Sequence, residues 1–127
     1  MVRLFGFPKR RWLIAVALVL PLTWLFASGA TGPALRWEAP FAVADAVLAA
    51  AVLGSYAPAP GTGRRLDVGC APCARVAALT VIAAVAARAA DPASIGLAVF
   101  SLVALGFGLL QRLSDGPACA VAPASPR

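Results

Sequence analysis

Four apolar runs, separated by short polar or Pro/Gly-dense stretches, divide the chain. The first follows a basic start at Arg3, Lys9, Arg10 and Arg11 and stays uncharged from Trp12 to Leu35. Its part 12–30 would extend about 28 Å as a helix, close to the thickness of a bilayer's hydrocarbon core. A polar stretch with Arg36, Trp37 and Glu38 precedes the second run, about 41–57, which Pro40 is placed to open in its first turn. The third, about 74–90, is alanine-rich and bracketed by Arg75 and Arg88, whose long side chains can snorkel to opposite interfaces. Asp91-Pro92 supplies a cap and a first-turn proline for the fourth, about 93–113, so runs three and four form a tight antiparallel hairpin. The loop 58–73 is dense in Pro and Gly, and 114–127, with three prolines among small residues, reads as a loose tail. The expected fold class is all-α: one integral membrane domain over 1–127, a bundle of four transmembrane helices arranged as two hairpins.

Composition agrees with that pattern. Hydrophobic residues make up 61% of the 127 and charged residues 13%, about half the charged share of a soluble domain. The net charge of +6 does not point to nucleic acid, because the basic residues stand at segment ends and not along one helix face. They point instead to orientation. With both ends inside, nine of the eleven basic residues are cytoplasmic and only Arg36 and Arg88 lie outside, as the positive-inside rule requires. Trp12 and Tyr56 then fall at the inner interface and Trp37 at the outer one. A cleaved secretory signal is the rival reading of the first run, with small residues at Ala27-Ser28-Gly29-Ala30, although the run is long for a signal core. Ten Arg to one Lys, with heavy use of Ala, Val, Gly and Pro, suggests a GC-rich bacterial source and hence the cytoplasmic membrane.

Candidate chemistry gathers at two places. Cys70 and Cys73 stand where the polar loop turns into the third segment, and Cys119, just past the fourth, is returned to the same side of the bilayer. A helix N-terminus opened by Pro72, with Arg75 nearby, would stabilise a thiolate there. Cys70-Ala71-Pro72-Cys73 resembles the thioredoxin-type active-site tetrad over these four residues only; Gly69 replaces the usual tryptophan and no strand–helix alternation surrounds it, so the thioredoxin fold is not implied. Membrane enzymes that make disulfides with a quinone are similar in size and helix number, but their cysteines face the oxidising compartment and these three are expected to face the cytoplasm. Three thiolates would also suit Zn²⁺ or Cu(I), with Asp67, Asp115 or water as fourth ligand, since the chain has no His. Inert cysteines at a crowded helix entry remain the plain alternative.

The second place is Asp45, read as the one acid within an apolar run and about 8 Å from the outer end of its segment. Arg88 is its natural partner, with Arg36 the other, either as a structural tie or with Asp45 protonated. Small multidrug transporters are similar in length and span number and use a membrane-embedded acid, but theirs lies in the first helix, which carries none here. Gly61-Thr62-Gly63-Arg64-Arg65 resembles an anion-binding nest without a phosphate loop's spacing, and Arg64 and Arg65 suit anionic lipid headgroups at about 1 kcal/mol each. Ser101, Ala104 and Gly108 share one side of the fourth segment and offer a small-residue face to another helix.

The expected partners are therefore the lipid bilayer and other membrane helices, and the sequence leaves the cofactor unknown. The function expected first is that of a non-enzymatic membrane component or accessory subunit. The alternatives are a cytoplasm-facing thiol or soft-metal site at Cys70, Cys73 and Cys119, and a small proton-coupled transporter using Asp45.

Overall fold

The structure, a computed structural model, describes residues 9–28, 35–58, 61, 63 and 71–118, side chains at 35, 36, 71 and 115–118 excepted. Among these residues it is all-helical: α1 (Lys9–Ala27), α2 (Leu35–Gly54), α3 (Ala71–Ala90) and α4 (Ile95–Ala118). Each helix is long and apolar enough to cross a membrane, and the protein is a multi-pass membrane protein. α1 packs chiefly on α2 and α3 chiefly on α4, while α2 joins the two pairs through α4.

What faces inward is not what is most hydrophobic. Leu13, Leu20 and Trp24 on α1, Leu79 and Ile82 on α3, and Val103 and Phe107 on α4 are exposed, the arrangement expected where lipid is the solvent. The buried positions, apart from Phe26 and Leu105, are mostly small or polar, and they recur three and four residues apart. On α2 they include Glu38, Ala42, Asp45, Ala49 and Val52, with Ala46, Ala50 and Gly54 beside them; on α3 they are Ala74, Ala77, Val81, Ala84 and Arg88; on α4, Ala98, Ser101, Leu105 and Gly108. This 3.5-residue repeat keeps one stripe of each helix turned to its neighbours, as in a coiled coil. Small side chains let the helices approach closely. A Cβ built on Gly54 would lie 3.1 Å from Ala15 Cβ and 3.2 Å from the Arg11 carbonyl oxygen, and one on Gly108 would collide with Thr80 Oγ1.

Helix boundaries differ from the sequence expectation in two places that matter. α2 starts at Leu35, not near Phe41, so Pro40 lies inside the helix. Its missing N–H releases a single carbonyl one turn from the end, a cost spanning helices accommodate. Trp37 meets Phe41 edge-on at 6.0 Å across the same turn, an i,i+4 contact that favours its helical form. α4 starts at Ile95, and its cap is Ser94, not Asp91: the Leu97 N–H donates to Ser94 Oγ at 3.4 Å. Asp91 instead makes the turn, its Oδ1 accepting from the Ala93 N–H at 3.0 Å. Hydroxyls within the helices are satisfied locally, Thr23 donating to the Val19 carbonyl and Thr80 to that of Ala77, as an apolar surrounding demands.

Candidate functional site

The stripes bring three ionisable side chains into the bundle. Because α2 begins early, Asp45 stands near the middle of the span Trp37–Gly54, about 12 Å from its start by helix rise, deeper than the sequence suggested. It is fully buried. Ser101 Oγ from α4 donates to Asp45 Oδ2 at 2.7 Å, and Arg88 Nε from α3 approaches the same oxygen at 3.6 Å. The latter is an ion pair beyond hydrogen-bond length. The Ser101 hydroxyl has one proton and a second acceptor in reach, the Ala98 carbonyl at 2.8 Å; an ionised carboxylate is the stronger of the two. Arg88, 4% exposed, also reaches past the end of α3, where its Nη1 donates at 3.4 Å to the Pro92 carbonyl. Three helices are thereby tied at one carboxylate.

The tie is incomplete. Asp45 Oδ1, Arg88 Nε and Arg88 Nη2 are buried without a hydrogen-bond partner. At an effective dielectric constant near 20, opposite charges 3.6 Å apart attract by about 5 kcal/mol. Taking both from water costs several kcal/mol each, so the pair roughly offsets its own burial while penalising loss of either partner.

Glu38 is the residue the sequence reading passed over, and Asp45 is not the one acid within a span. It lies seven residues before Asp45 on the same stripe, is 1% exposed, and neither carboxylate oxygen has a hydrogen-bond partner. Flanked by Arg36, Trp37 and Pro40, it looked like part of a connecting loop. The signal that would have found it is the spacing 38, 42, 45, 49, 52, which carries the Ala-rich inner stripe of α2 out to Glu38. Its place in the first turn gives it some help from the helix dipole, about 0.3–1 kcal/mol and at most about 2. That is less than the several kcal/mol an unpaired buried ion costs.

The opposite end of the bundle is closed by a second polar layer. Arg112 from α4 donates through Nε to Ser55 Oγ and through Nη2 to the Ser55 carbonyl, both at 3.0 Å, and its guanidinium lies 4.3 Å from the centre of the Tyr56 ring. Arg11 from α1 donates to the Ala57 carbonyl at 2.8 Å, and the Tyr56 hydroxyl donates to the Ala74 carbonyl of α3. Two cations thus cap the carbonyl end of α2, where its dipole is negative. These arginines, flanking charges in the sequence, are also fasteners.

Of the thiol cluster, the structure describes Cys73 alone, half-buried in the first turn of α3 with Pro72 before it. Cys70, Cys119, Arg64, Arg65, Asp67 and Asp115 lie outside the described residues or side chains. Among the described residues no group of three or more His, Cys, Asp or Glu side chains is placed to hold a metal. Gly61 and Gly63 take positive φ, 91° and 62°, as the Gly-dense loop leads one to expect. On the outer side of α3 and α4 a shallow groove of about 420 Å³ is lined by Thr80, Ala83 and Ala104 between Leu79, Phe100 and Phe107. No protein-family model, curated protein or solved structure matches the chain. Function therefore rests on this geometry.

Proposed function

We propose that the protein is a non-enzymatic component of a bacterial cytoplasmic membrane, an accessory subunit whose helices pack against those of a partner, with both ends in the cytoplasm. The observation that carries this reading is the use made of Asp45. Its Oδ2 is engaged by Ser101 and Arg88 from two other helices, which suits a fastener, whereas a transporting acid has to be released to each side in turn. Arg11 and Arg112 are likewise engaged with backbone and side-chain oxygens at the far end. The groove of small and aromatic residues on α3 and α4 supplies the surface for a partner helix. The orientation is supported by the excess of Arg and Lys at the end of the bundle that holds Lys9, Arg10, Arg11 and Arg112.

The test is proton flux in proteoliposomes together with the Asp45→Asn variant. No flux above that of empty liposomes, in wild type and variant alike, is expected. A wild-type flux that disappears in Asp45→Asn would replace this reading with the transporter.

The thiol reading keeps one supporting observation, the position of Cys73 in the first turn of α3, at the positive end of the helix dipole. A membrane-impermeant thiol reagent applied to inside-out and right-side-out vesicles of single-cysteine variants tests it together with the orientation. Labelling from the cytoplasmic face without reductant is expected, whereas labelling from the outer face only after reduction reverses the topology and brings disulfide exchange to the front.

A further inference from the structure

We propose that the end of the bundle holding Lys9, Arg10 and Arg75 binds anionic phospholipid, with the headgroup phosphate on these three cations and the acyl chains on the apolar ridges that Lys9 and Arg75 head.

Charge is divided unevenly between the two ends. Of the cations with described side chains, Lys9, Arg10, Arg11, Arg75 and Arg112 stand at one end and Arg88 at the other. The described acids do not balance the first group. Glu38 and Asp45 are buried on α2 away from that end, and Asp91 lies in the α3–α4 connection opposite. No acid stands in the first turn of α1 or of α3, so neither helix supplies a counter-charge beside its own cations.

The five cations differ in use. Arg11 and Arg112 turn to the Ala57 carbonyl and to the Ser55 hydroxyl and carbonyl. Lys9, Arg10 and Arg75 are exposed. All three border the layer that closes this end: Lys9 and Arg10 precede Arg11, which reaches Ala57, and Arg75 follows Ala74, whose carbonyl accepts from Tyr56. An exposed cation group of this kind at a membrane surface attracts anionic headgroups.

What lies beneath the cations selects a lipid over a free anion. Trp12, Leu13 and Val16 follow Lys9 by three, four and seven residues, and Leu79 and Ile82 follow Arg75 by four and seven; all are exposed. Each cation therefore heads an apolar ridge on one face of its helix. A phosphate carried on acyl chains meets both parts of that surface, and the Trp12 indole, one turn from Lys9, suits the boundary between them. Inorganic phosphate would use the cations alone. The inference holds for either orientation of the bundle, and it does not rest on the accessory-subunit reading, which concerns Asp45 and the groove on α3 and α4.

The test reads lipid next to each ridge by tryptophan quenching. In Trp24→Phe/Trp37→Phe the full-length protein keeps Trp12 as its single tryptophan, and adding Trp12→Phe and Ile82→Trp moves the reporter to the ridge under Arg75. Each protein is reconstituted in phosphatidylcholine containing a small fraction of brominated-chain lipid, either phosphatidylglycerol or phosphatidylcholine. A single Lys or Arg at the surface favours anionic over neutral lipid by about fivefold. The brominated phosphatidylglycerol is therefore expected to be enriched at least about fivefold over the phosphatidylcholine at both reporters. The enrichment should shrink as salt rises from about 0.01 M to about 1 M, where the screening length falls from about 30 Å to about 3 Å. It should be lost at Trp12 in Lys9→Gln/Arg10→Gln and at the second reporter in Arg75→Gln. Equal quenching by the two lipids at low salt overturns the proposal without need of the charge variants. Enrichment that survives their removal overturns the assignment to these residues. Inorganic phosphate that abolishes the enrichment where chloride of equal ionic strength does not would give the cations to free phosphate and overturn the lipid.

Discussion

Removing Arg88 exposes how the bundle uses its buried charge. In Arg88→Gln the Asp45 carboxylate keeps the Ser101 donor but loses the cation 3.6 Å from Oδ2. The attraction lost is about 5 kcal/mol at an effective dielectric constant near 20. Stripping one partner from a buried pair typically costs about 3–5 kcal/mol, and that is the destabilisation expected. Asp45→Asn should cost less, because Arg88 is in the last turn of α3, two residues from its end, where a long side chain freed from its partner can snorkel to the interface. The double variant Asp45→Asn/Arg88→Gln leaves no unpaired charge at this position and should recover about 2–3 kcal/mol relative to the sum of the single variants. The assay is reversible unfolding in mixed detergent micelles, followed by helix content, on all four proteins. Single-variant losses that add to within about 0.5 kcal/mol in the double variant would mean that the two side chains are not coupled, and the account of Asp45 as the fastener of α2, α3 and α4 would be wrong.

Other consequences follow from close contacts. Gly108→Ala places a methyl group against Thr80 Oγ1, so α3 and α4 must separate or Thr80 must rotate away from the Ala77 carbonyl; a loss of about 1–3 kcal/mol is expected, partly relieved by Thr80→Ala in the same unfolding assay. Gly54→Val brings branched bulk against the Arg11 carbonyl and Ala15, and should weaken cross-linking between paired cysteines placed at the facing ends of α1 and α2 while leaving α3–α4 cross-links unchanged. Arg112→Ala removes both contacts to Ser55 and the stacking on Tyr56; faster amide exchange at 55–57, with little change at Asp45, is the expected signature. Arg112→Lys should restore only part of the protection, because an ammonium group does not reproduce the forked geometry.

The sequence made the fold legible because length and apolarity are sufficient to identify a spanning helix, and short connections force neighbours into antiparallel pairs. The inside of the bundle was less legible. In a soluble protein the buried face is the apolar one, whereas here Leu20, Ile82 and Phe107 are exposed while Ala42, Ala77 and Ala98 are covered, so hydrophobicity does not mark the interior. What marks it is the recurrence of small and polar residues every three and four positions. Asp45 stood out because it interrupts an apolar run. Glu38 did not, although it belongs to the same stripe, because the proline two residues later implied that the helix had not yet begun. A proline one turn inside a helix costs one hydrogen bond, less than the packing that Trp37, Phe41 and the stripe supply together. The polar stretch between two apolar runs was therefore already helix, and its acid already interior. Any chain with an inner stripe of this kind can carry a buried charge past the end of its apolar run, and the place to look for it is along the 3.5-residue repeat, beyond the point where hydropathy declines.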